Sequence, residues 1–209
     1  MNTAKPFVKW AGGKTQLLSE LRRKYPERIE KYCEPFVGGG AVLFDVLSNY
    51  KPQEVLINDI NAELINTYRQ IKENCEPLIS QLSDLQEQYK SLSEEERKAL
   101  FFSKRDRFNS LKINGNEVEN LEKAALFIFI NKTCFNGLYR VNSKGLFNVP
   151  WNYAKNPLIC DEENLRACSA VLQNVEMTVG NYSSCKYFIG KKTRLGLINK
   201  TIKRQYYEI

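Results

Sequence analysis

The stretch Glu34-Pro35-Phe36-Val37-Gly38-Gly39-Gly40, followed further along by Asn58-Asp59, decides the fold of this 209-residue chain. Residues 32–36 have the pattern of a short strand that opens into the glycines, residues 41–47 that of a helix, and residues 54–58 that of a second strand. A strand, a glycine-rich turn, a helix, a strand and an acid, in this order, open a doubly wound nucleotide-binding sheet. The sequence therefore predicts an α/β fold.

The glycine turn and the acid also predict a ligand site. Glycines at a strand-to-helix turn let a ligand approach the backbone, and Asp59 at the tip of the next strand can accept hydrogen bonds from ribose hydroxyls. The dinucleotide series G-x-G-x-x-G is incomplete because Leu43 occupies its third glycine position. The pattern thus disfavours a dinucleotide and its pyrophosphate. The plainer alternative is a tight turn and an unrelated surface acid.

An earlier stretch, Phe7-Val8-Lys9-Trp10-Ala11-Gly12-Gly13-Lys14-Thr15, ends like a phosphate-binding loop. Such a loop needs a glycine where this chain has Val8, so an NTPase is disfavoured. The remaining feature is a glycine turn that brings the aromatic ring of Trp10 near Lys14, which suits a ligand with a flat ring and a carboxylate. The alternative is a buried tryptophan beside an ordinary loop.

The middle of the chain changes to a helical pattern. Residues 62–132 contain no convincing strand, and Ser93 with Glu96 forms a capping box for a helix that reaches about residue 107. A further helix is predicted over residues 121–131. Residues 135–150 alternate as short strands around the turn Asn142-Ser143-Lys144-Gly145, which predicts a hairpin, and residues 175–179 predict a strand that returns to the sheet.

Composition excludes several classes of protein. The hydrophobic content of 43% supports a folded core, and the longest apolar run, residues 124–130, is too short to span a bilayer. We therefore expect a soluble cytoplasmic protein with no membrane partner. There is no histidine, and the six cysteines form no C-x-x-C pair. Disulfide scaffolding, histidine catalysis and a metal site are all disfavoured.

The formal charge of +7 suits a polyanionic partner, but the charge is unevenly distributed. Residues 186–209 carry seven Lys or Arg against the single acid Glu208, a charge of +6 that leaves +1 for the rest of the chain. Overall charge is therefore weak evidence for DNA binding.

Four motifs together resemble a known family. Lys9-Trp10-Ala11-Gly12-Gly13-Lys14, the stretch 34–40, Asn58-Asp59, and the run from Asn136-Gly137-Leu138-Tyr139-Arg140 to Pro150 are similar to the Dam-type, or D12 class, adenine-N6-specific DNA methyltransferases. The resemblance covers residues 5–184. It implies a Rossmann-like S-adenosylmethionine-dependent methyltransferase sheet, here incomplete, with an inserted helical target-recognition region and β-hairpin.

The resemblance also divides the chain. It places a discontinuous methyltransferase core at residues 1–62 and 158–185, and a DNA target-recognition region at residues 63–157 with its hairpin at 135–150. The basic tail, residues 186–209, matches no catalytic motif and is a candidate non-native segment.

The resemblance assigns site residues position by position. It implies that Trp10 and Lys14 contact S-adenosyl-L-methionine, that the glycine turn passes under the amino-acid part of this cofactor, and that Asp59 holds its ribose. The full set of implied cofactor-binding residues is Trp10, Ala11, Gly12, Gly13, Lys14, Glu34, Phe36, Gly38, Gly39, Gly40 and Asp59.

Double-stranded DNA is the implied partner, with GATC as the family target. The implied DNA-binding residues are Lys9, Phe135, Asn136, Leu138, Arg140 and Pro150. Arg140 can pair with a guanine edge, Leu138 can meet a thymine methyl, and Phe135 can wedge into the space left by a flipped adenine. The plainer alternative has Phe135 in a core and Arg140 on a solvated face. Cytosine-C5 methylation is excluded, because no cysteine follows a proline.

One family motif is missing. Members carry Asp-Pro-Pro-Tyr on the strand after the recognition region, but no two of the seven prolines here are adjacent. We therefore predict no catalytic residue and an inactive chain as written; a frameshift, a deletion or a premature end would each explain the loss. The alternative is a non-catalytic DNA-binding or regulatory remnant of such an enzyme. A cognate restriction endonuclease is a further candidate partner.

Overall fold

A four-stranded parallel sheet organises the computed structural model, which describes residues 3–190 and 193–195. Its strands are β1 (Lys31–Glu34), β2 (Glu54–Asp59), β3 (Val175–Val179) and β4 (Thr193–Leu195), in the spatial order β3-β2-β1-β4. Since all three pairings are parallel, the carboxyl ends of the strands lie at one edge of the sheet. The predicted α/β fold is confirmed, and the acid and the glycine turn share that edge.

Helices supply most of the remaining structure. They are α1 (Leu18–Arg22), α2 (Ala41–Asn49), α3 (Ala62–Glu73), α4 (Cys75–Ser91), α5 (Glu94–Asn114), α6 (Asn120–Thr133) and α7 (Glu162–Leu172). Single 3₁₀ turns occur at Thr15–Leu17, Glu117–Glu119 and Phe135–Gly137, and a longer 3₁₀ segment at Tyr182–Phe188. Helices α3 to α6 follow one another between β2 and β3, as the helical pattern predicted. The Ser93 capping box is present at the start of α5.

Helix α6 is the centre of the helical region. Its residues 124–130 are buried on every side, because α3, α4 and α5 all pack against it. A helix that is apolar around its whole circumference belongs inside a core of this kind. Among the residues that the structure describes, no helix has both the length and the apolar character that crossing a membrane requires.

The two central strands, β1 and β2, are mostly buried, whereas β3 and β4 at the two edges of the sheet are more exposed. Cys33, Leu56 and Ile57 are fully buried, and Val55 of β2 is paired with Val175 of β3. Strand β1 ends at Glu34, two residues earlier than predicted, since Pro35 and the following glycines leave the ladder. Helix α5 extends seven residues beyond the predicted end at residue 107, to Asn114.

The hairpin differs from its prediction. Its turn is present, with Gly145 N–H donating to Asn142 O at 2.9 Å, but the arms form isolated antiparallel bridges instead of strands, between Val141 and Phe147 and, at the base, between Cys134 and Trp151. Residues 135–137 form a 3₁₀ turn instead of a strand, because Asn136 adopts a left-handed φ of 54°. The predicted short strands over residues 135–150 are therefore wrong, although the chain does reverse direction there.

Part of the basic tail lies within the sheet. Thr193 pairs with Lys31 and Leu195 with Cys33, so β4 extends the sheet beyond β1. Phe188 is buried near the same strand and packs with Cys33 and Cys185. The other residues of the candidate non-native segment, 191–192 and 196–209, lie outside the described residues.

Candidate functional site

The glycine turn and Asp59 are directly hydrogen-bonded. The Gly38 N–H donates to Asp59 Oδ2 at 3.0 Å, and the Asn61 N–H donates to Asp59 Oδ1 at 3.0 Å. Asn61 also caps α3, because its side-chain oxygen accepts a bond from Leu64 N–H at 2.9 Å. The carboxylate is thus held at the edge where β1 and β2 end, in the arrangement that the sequence predicted.

The turn needs glycine for two reasons. Gly38 and Gly40 have left-handed φ values of 51° and 76°, which side chains rarely adopt. A Cβ on Gly38 would also lie 2.7 Å from the Trp10 ring, and a Cβ on Gly40 would lie 2.3 Å from the Tyr68 hydroxyl. That hydroxyl donates to Gly38 O at 3.0 Å. The glycines therefore let the Trp10 loop and a buried tyrosine close on the turn from either side.

The loop around Trp10 closes on itself. Gly13 N–H donates to Trp10 O at 3.0 Å, and the Lys14 ammonium donates to Gly12 O at 2.6 Å. A cavity of about 510 Å³ is lined by Trp10, Gly12, Gly13 and Gly39 together with neighbouring residues, among which Asp59 is not included. The Gly12–Gly13 loop and the glycine turn therefore border the same cavity.

The Trp10 side chain is partly buried. It stacks on Tyr139, with ring centroids 5.9 Å apart and an interplanar angle of 25°, and it also contacts Phe127. Tyr139 and Phe127 therefore cover the part of the Trp10 ring that faces them.

Glu34 lies under the turn. It is 5% exposed, and the Tyr32 hydroxyl donates to its Oε2 at 2.8 Å. Burial raises the pKa of Glu34 to about 8, and the nearby negative charge of Asp59 acts in the same direction. At neutral pH this side chain is therefore mostly protonated. The sequence identified Glu34 as part of the stretch 34–40, but it did not predict that this side chain is buried.

Two exposed apolar side chains flank Asp59 and the turn. Phe36 is 45% exposed and Ile60 is 78% exposed, although both belong to the edge where the buried strands end. Ile60 was absent from the predicted site. An apolar residue directly after the acid of a strand tip is the signal that could have identified it.

All six predicted DNA-binding residues are exposed. The loop that carries five of them is held together by the Phe135 N–H, which donates to Pro150 O at 2.8 Å. Arg140 Nε donates to the Asn148 side chain at 2.8 Å, and its Nη2 donates to the Asn148 carbonyl at 3.2 Å. Asn148, which the sequence analysis did not select, thus orients the guanidinium. The buried-core alternative for Phe135 is wrong, since this ring is 52% exposed.

Asn131, at the end of α6, joins the two predicted sites. Its side chain accepts a hydrogen bond from Lys9 N–H at 2.9 Å and donates to Lys9 O and to Gly137 O, both at 2.9 Å. The residue is 4% exposed. Gly137 packs so closely on Lys9 that a Cβ there would lie 2.4 Å from Lys9 Cβ. The sequence contained no pattern that singled out Asn131.

The glycine turn, Asp59 and the loop around Trp10 thus meet at one edge of the sheet, beside a loop that presents exposed apolar and basic side chains. The described part of the chain contains no group of three or more Cys, Asp or Glu side chains placed to hold a metal ion. The individual binding roles remain predictions.

Comparison with known proteins assigns this arrangement to a family. A family model of D12 class N6 adenine-specific DNA methyltransferases matches residues 10–192. The type II methyltransferase M.MjaIII of Methanocaldococcus jannaschii is 49% identical over 183 residues, 85% of this chain and 62% of its own length. M1.LlaDCHI of Lactococcus lactis, also a type II methyltransferase, is 41% identical over 81% of this chain and 55% of its own length.

A third relative is named for DNA adenine methylation and not as a type II methyltransferase. The DNA adenine methylase of Haemophilus influenzae is 33% identical over 76% of this chain and 51% of its own length. The chain therefore spans between about half and somewhat under two thirds of each of these relatives. The matched region contains the glycine turn, Asp59 and the exposed loop, and the chain belongs to the D12 class N6 adenine-specific DNA methyltransferase family.

Proposed function

We propose that this chain binds S-adenosyl-L-methionine and double-stranded DNA as the cofactor and target-recognition part of an adenine-N6 DNA methyltransferase. The observation that carries the proposal is the hydrogen bond between Gly38 and Asp59, with Trp10 packed on the same turn. These contacts bring motifs that are far apart in the sequence to one edge of the sheet. The names of the relatives, which include DNA adenine methylase, support the choice of substrate.

The residues fit the proposed cofactor. Cβ atoms at Gly38 and Gly39 would approach Trp10 within 2.7 and 3.1 Å, so the turn is shaped for close packing that only glycine allows. Asp59 can accept from ribose hydroxyls, and the exposed rims of Phe36 and Ile60 suit the adenine ring. The cofactor supplies the methyl group when bound. The protein residues hold and orient it, and we assign Lys14 to its carboxylate.

The exposed loop fits a duplex. Arg140 presents a guanidinium already oriented by Asn148, as bidentate pairing with a guanine requires. Phe135 and Leu138 are 52% and 37% exposed, so they can enter a groove or meet a thymine methyl without unfolding the loop. We propose GATC as the target, with Lys9 reading a second guanine.

We further propose that the chain as written does not transfer the methyl group. Its sequence contains no Asp-Pro-Pro-Tyr, and β4, the strand beside β1, is Thr193-Arg194-Leu195. Positioning of the reacting groups is worth roughly 7–11 kcal/mol of a barrier, so loss of the groups that orient the adenine amine lowers turnover by many orders of magnitude. Binding without chemistry would make the chain a DNA-binding or regulatory module, which is the second candidate function.

Calorimetric titration with S-adenosylmethionine tests cofactor binding. Asp59→Ala should weaken the affinity because it removes the ribose acceptor, whereas Asp106→Ala, at an exposed aspartate of α5 that pairs with Arg105, should leave it unchanged. Equal affinities for the parent chain and Asp59→Ala would remove Asp59 from the site.

A methyl-transfer assay tests the proposed inactivity. The chain, labelled S-adenosylmethionine and a GATC duplex should give background incorporation only, while the same duplex should compete better than a scrambled one in a binding assay. Incorporation that Asp59→Ala abolishes would refute the proposed inactivity.

The cellular setting is also a proposal. Two of the relatives are named type II methyltransferases, which supports a restriction-modification role and a cognate restriction endonuclease as partner. We propose the cytoplasm as the compartment, since the substrate is DNA.

A further inference from the structure

Tyr139 lies in the exposed loop but turns into the protein. Its chain neighbours Leu138 and Arg140 are exposed, whereas its own ring stacks on Trp10 at 5.9 Å and lies 5.7 Å from the Phe127 ring. Tyr139 therefore lies in the predicted DNA-binding loop, but its side chain packs against the loop around Trp10.

The Tyr139 hydroxyl is fixed by two charged partners. It donates to Glu63 Oε2 at 3.1 Å and accepts from Lys112 Nζ at 2.8 Å, and this ammonium lies 3.2 Å from Glu63 Oε1. The side chains of Glu63 and Lys112 are only 13% and 20% exposed. Since a largely buried ion pair is costly to break on one side, the pair fixes the position of the phenol. A ring that served only as apolar packing would not need this hydroxyl.

Glu63 connects this network to Asp59. It lies in the first turn of α3, the helix that Asn61 caps, and Asn61 N–H donates to Asp59 Oδ1 at 3.0 Å. The carboxylate of Glu63 is favourable at this position because it faces the positive end of the helix dipole. Movement of the Tyr139 hydroxyl would thus be resisted by the helix start that also holds Asp59.

We propose that Tyr139 is a positioning residue that couples cofactor binding to DNA binding. The inference rests on the proposed function. DNA that engages Leu138 and Arg140 restrains Tyr139 between them, and Tyr139 in turn restrains Trp10 and the start of α3. A cofactor that orders Trp10 and Asp59 restrains the loop in the opposite direction. The coupling must be reciprocal, because a change in one affinity caused by the other ligand is a property of the pair.

The hydroxyl remains protonated for this role. Burial raises the pKa of Tyr139 well above its ordinary value, and the negative charge of Glu63 raises it further. The bond to Glu63 is therefore present across the neutral range.

The test measures the affinity of the 209-residue chain for S-adenosylmethionine alone and with a saturating GATC duplex. We expect DNA to tighten cofactor binding in the parent chain by about fivefold or more, as in typical coupled sites. Tyr139→Phe keeps the ring and removes the hydroxyl, and it should bring this ratio close to one. Tyr187→Phe is the matched control, because it removes a phenol–carboxylate bond, to Glu176, away from the network.

The ratio distinguishes coupling from stability. A purely structural role would weaken both cofactor affinities by the same factor and leave the ratio unchanged, which would overturn the inference. Glu63→Gln provides a second variant that removes the charge, and it decides the matter if thermal unfolding shows that Tyr139→Phe does not fold. A parent chain that binds both ligands with a ratio of one refutes the coupling alone. A parent chain that binds neither ligand refutes the proposed function as well.

Discussion

Replacement of Asn131 by alanine should destabilise the chain through the loss of three hydrogen bonds. The side chain joins Lys9 N–H, Lys9 O and Gly137 O, and it is 4% exposed. Each net hydrogen bond is worth about 0.5–1.5 kcal/mol, which gives about 1.5–4.5 kcal/mol for three. Because Lys9 is exposed and water can replace part of its bonding, we expect about 2–3 kcal/mol.

Asn66 offers a matched comparison for this change. It is an equally helical asparagine, 8% exposed, and its side chain donates to Asn120 O at 2.9 Å. Asn66→Ala removes the same atoms but breaks one such bond, so it should cost about 1 kcal/mol. The difference between the two variants, about 1–2 kcal/mol, isolates the bonds that join the Trp10 loop to the turn at Gly137.

Urea unfolding followed by circular dichroism measures both free energies of unfolding. For a chain of this size, a difference of about 1–2 kcal/mol also corresponds to roughly 2–8 °C in the midpoint of thermal unfolding. Asn131→Ala should in addition weaken binding of a GATC duplex, which Asn66→Ala should not. Equal losses of stability in the two variants would refute the argument that Asn131 fastens the two loops together.

Three further changes test the site. Gly40→Ala should cost clearly more than Gly145→Ala in unfolding experiments: both residues have left-handed φ values, 76° and 73°, but only at Gly40 would the new Cβ lie 2.3 Å from another atom, the Tyr68 hydroxyl. Equal losses of stability would show that the left-handed backbone, and not the contact with the Tyr68 hydroxyl, is what requires glycine at position 40. Arg140→Ala should reduce the preference for GATC over a scrambled duplex by about 1–3 kcal/mol, and equal losses on both duplexes would make Arg140 a phosphate contact. Because the folded pKa of Glu34 is raised from 4.5 to about 8, its stabilising contribution is complete below pH 4.5 and is lost as the pH rises through 8. Glu34→Gln should therefore flatten the decline in stability between these pH values, and an unchanged decline would assign it to other groups.

The sequence predicted the features that depend on local pattern. Residues 54–58 and 175–179 alternate or run apolar as buried strands do, and both strands were found within one residue of their predicted bounds. The Ser93 capping box and the glycine turn are likewise short motifs with a direct backbone consequence. The short strands predicted for the arms of the hairpin were wrong, because left-handed Asn136 and the 3₁₀ turn at Phe135–Gly137 interrupt the extended backbone.

Contacts between distant segments could not be predicted in this way. Asn131 and Lys9 are 122 positions apart, and Tyr139 and Glu63 are 76 apart, so no periodic pattern relates them. Their pairing follows from how α6 and α3 pack beneath the loops. The protonated state of Glu34 is a further example, since it depends on burial that only the assembled sheet provides.

The position of β4 bears on the proposed loss of methyl transfer in a chain that keeps the fold of its family. Parallel pairing with β1 turns its carboxyl end toward the edge that carries the glycine turn and Asp59, and residues 196–209 follow it in the sequence. In the sequence these residues start with Gly196-Leu197-Ile198, and no carboxylate follows before Glu208. Backbone pairing and apolar packing are sufficient to place a strand there, whereas orienting an adenine amine needs particular acceptor groups at its tip. Under the proposed function, a chain can therefore keep the sheet order, the glycine turn and the exposed loop of its family and still lack the groups that orient the adenine amine.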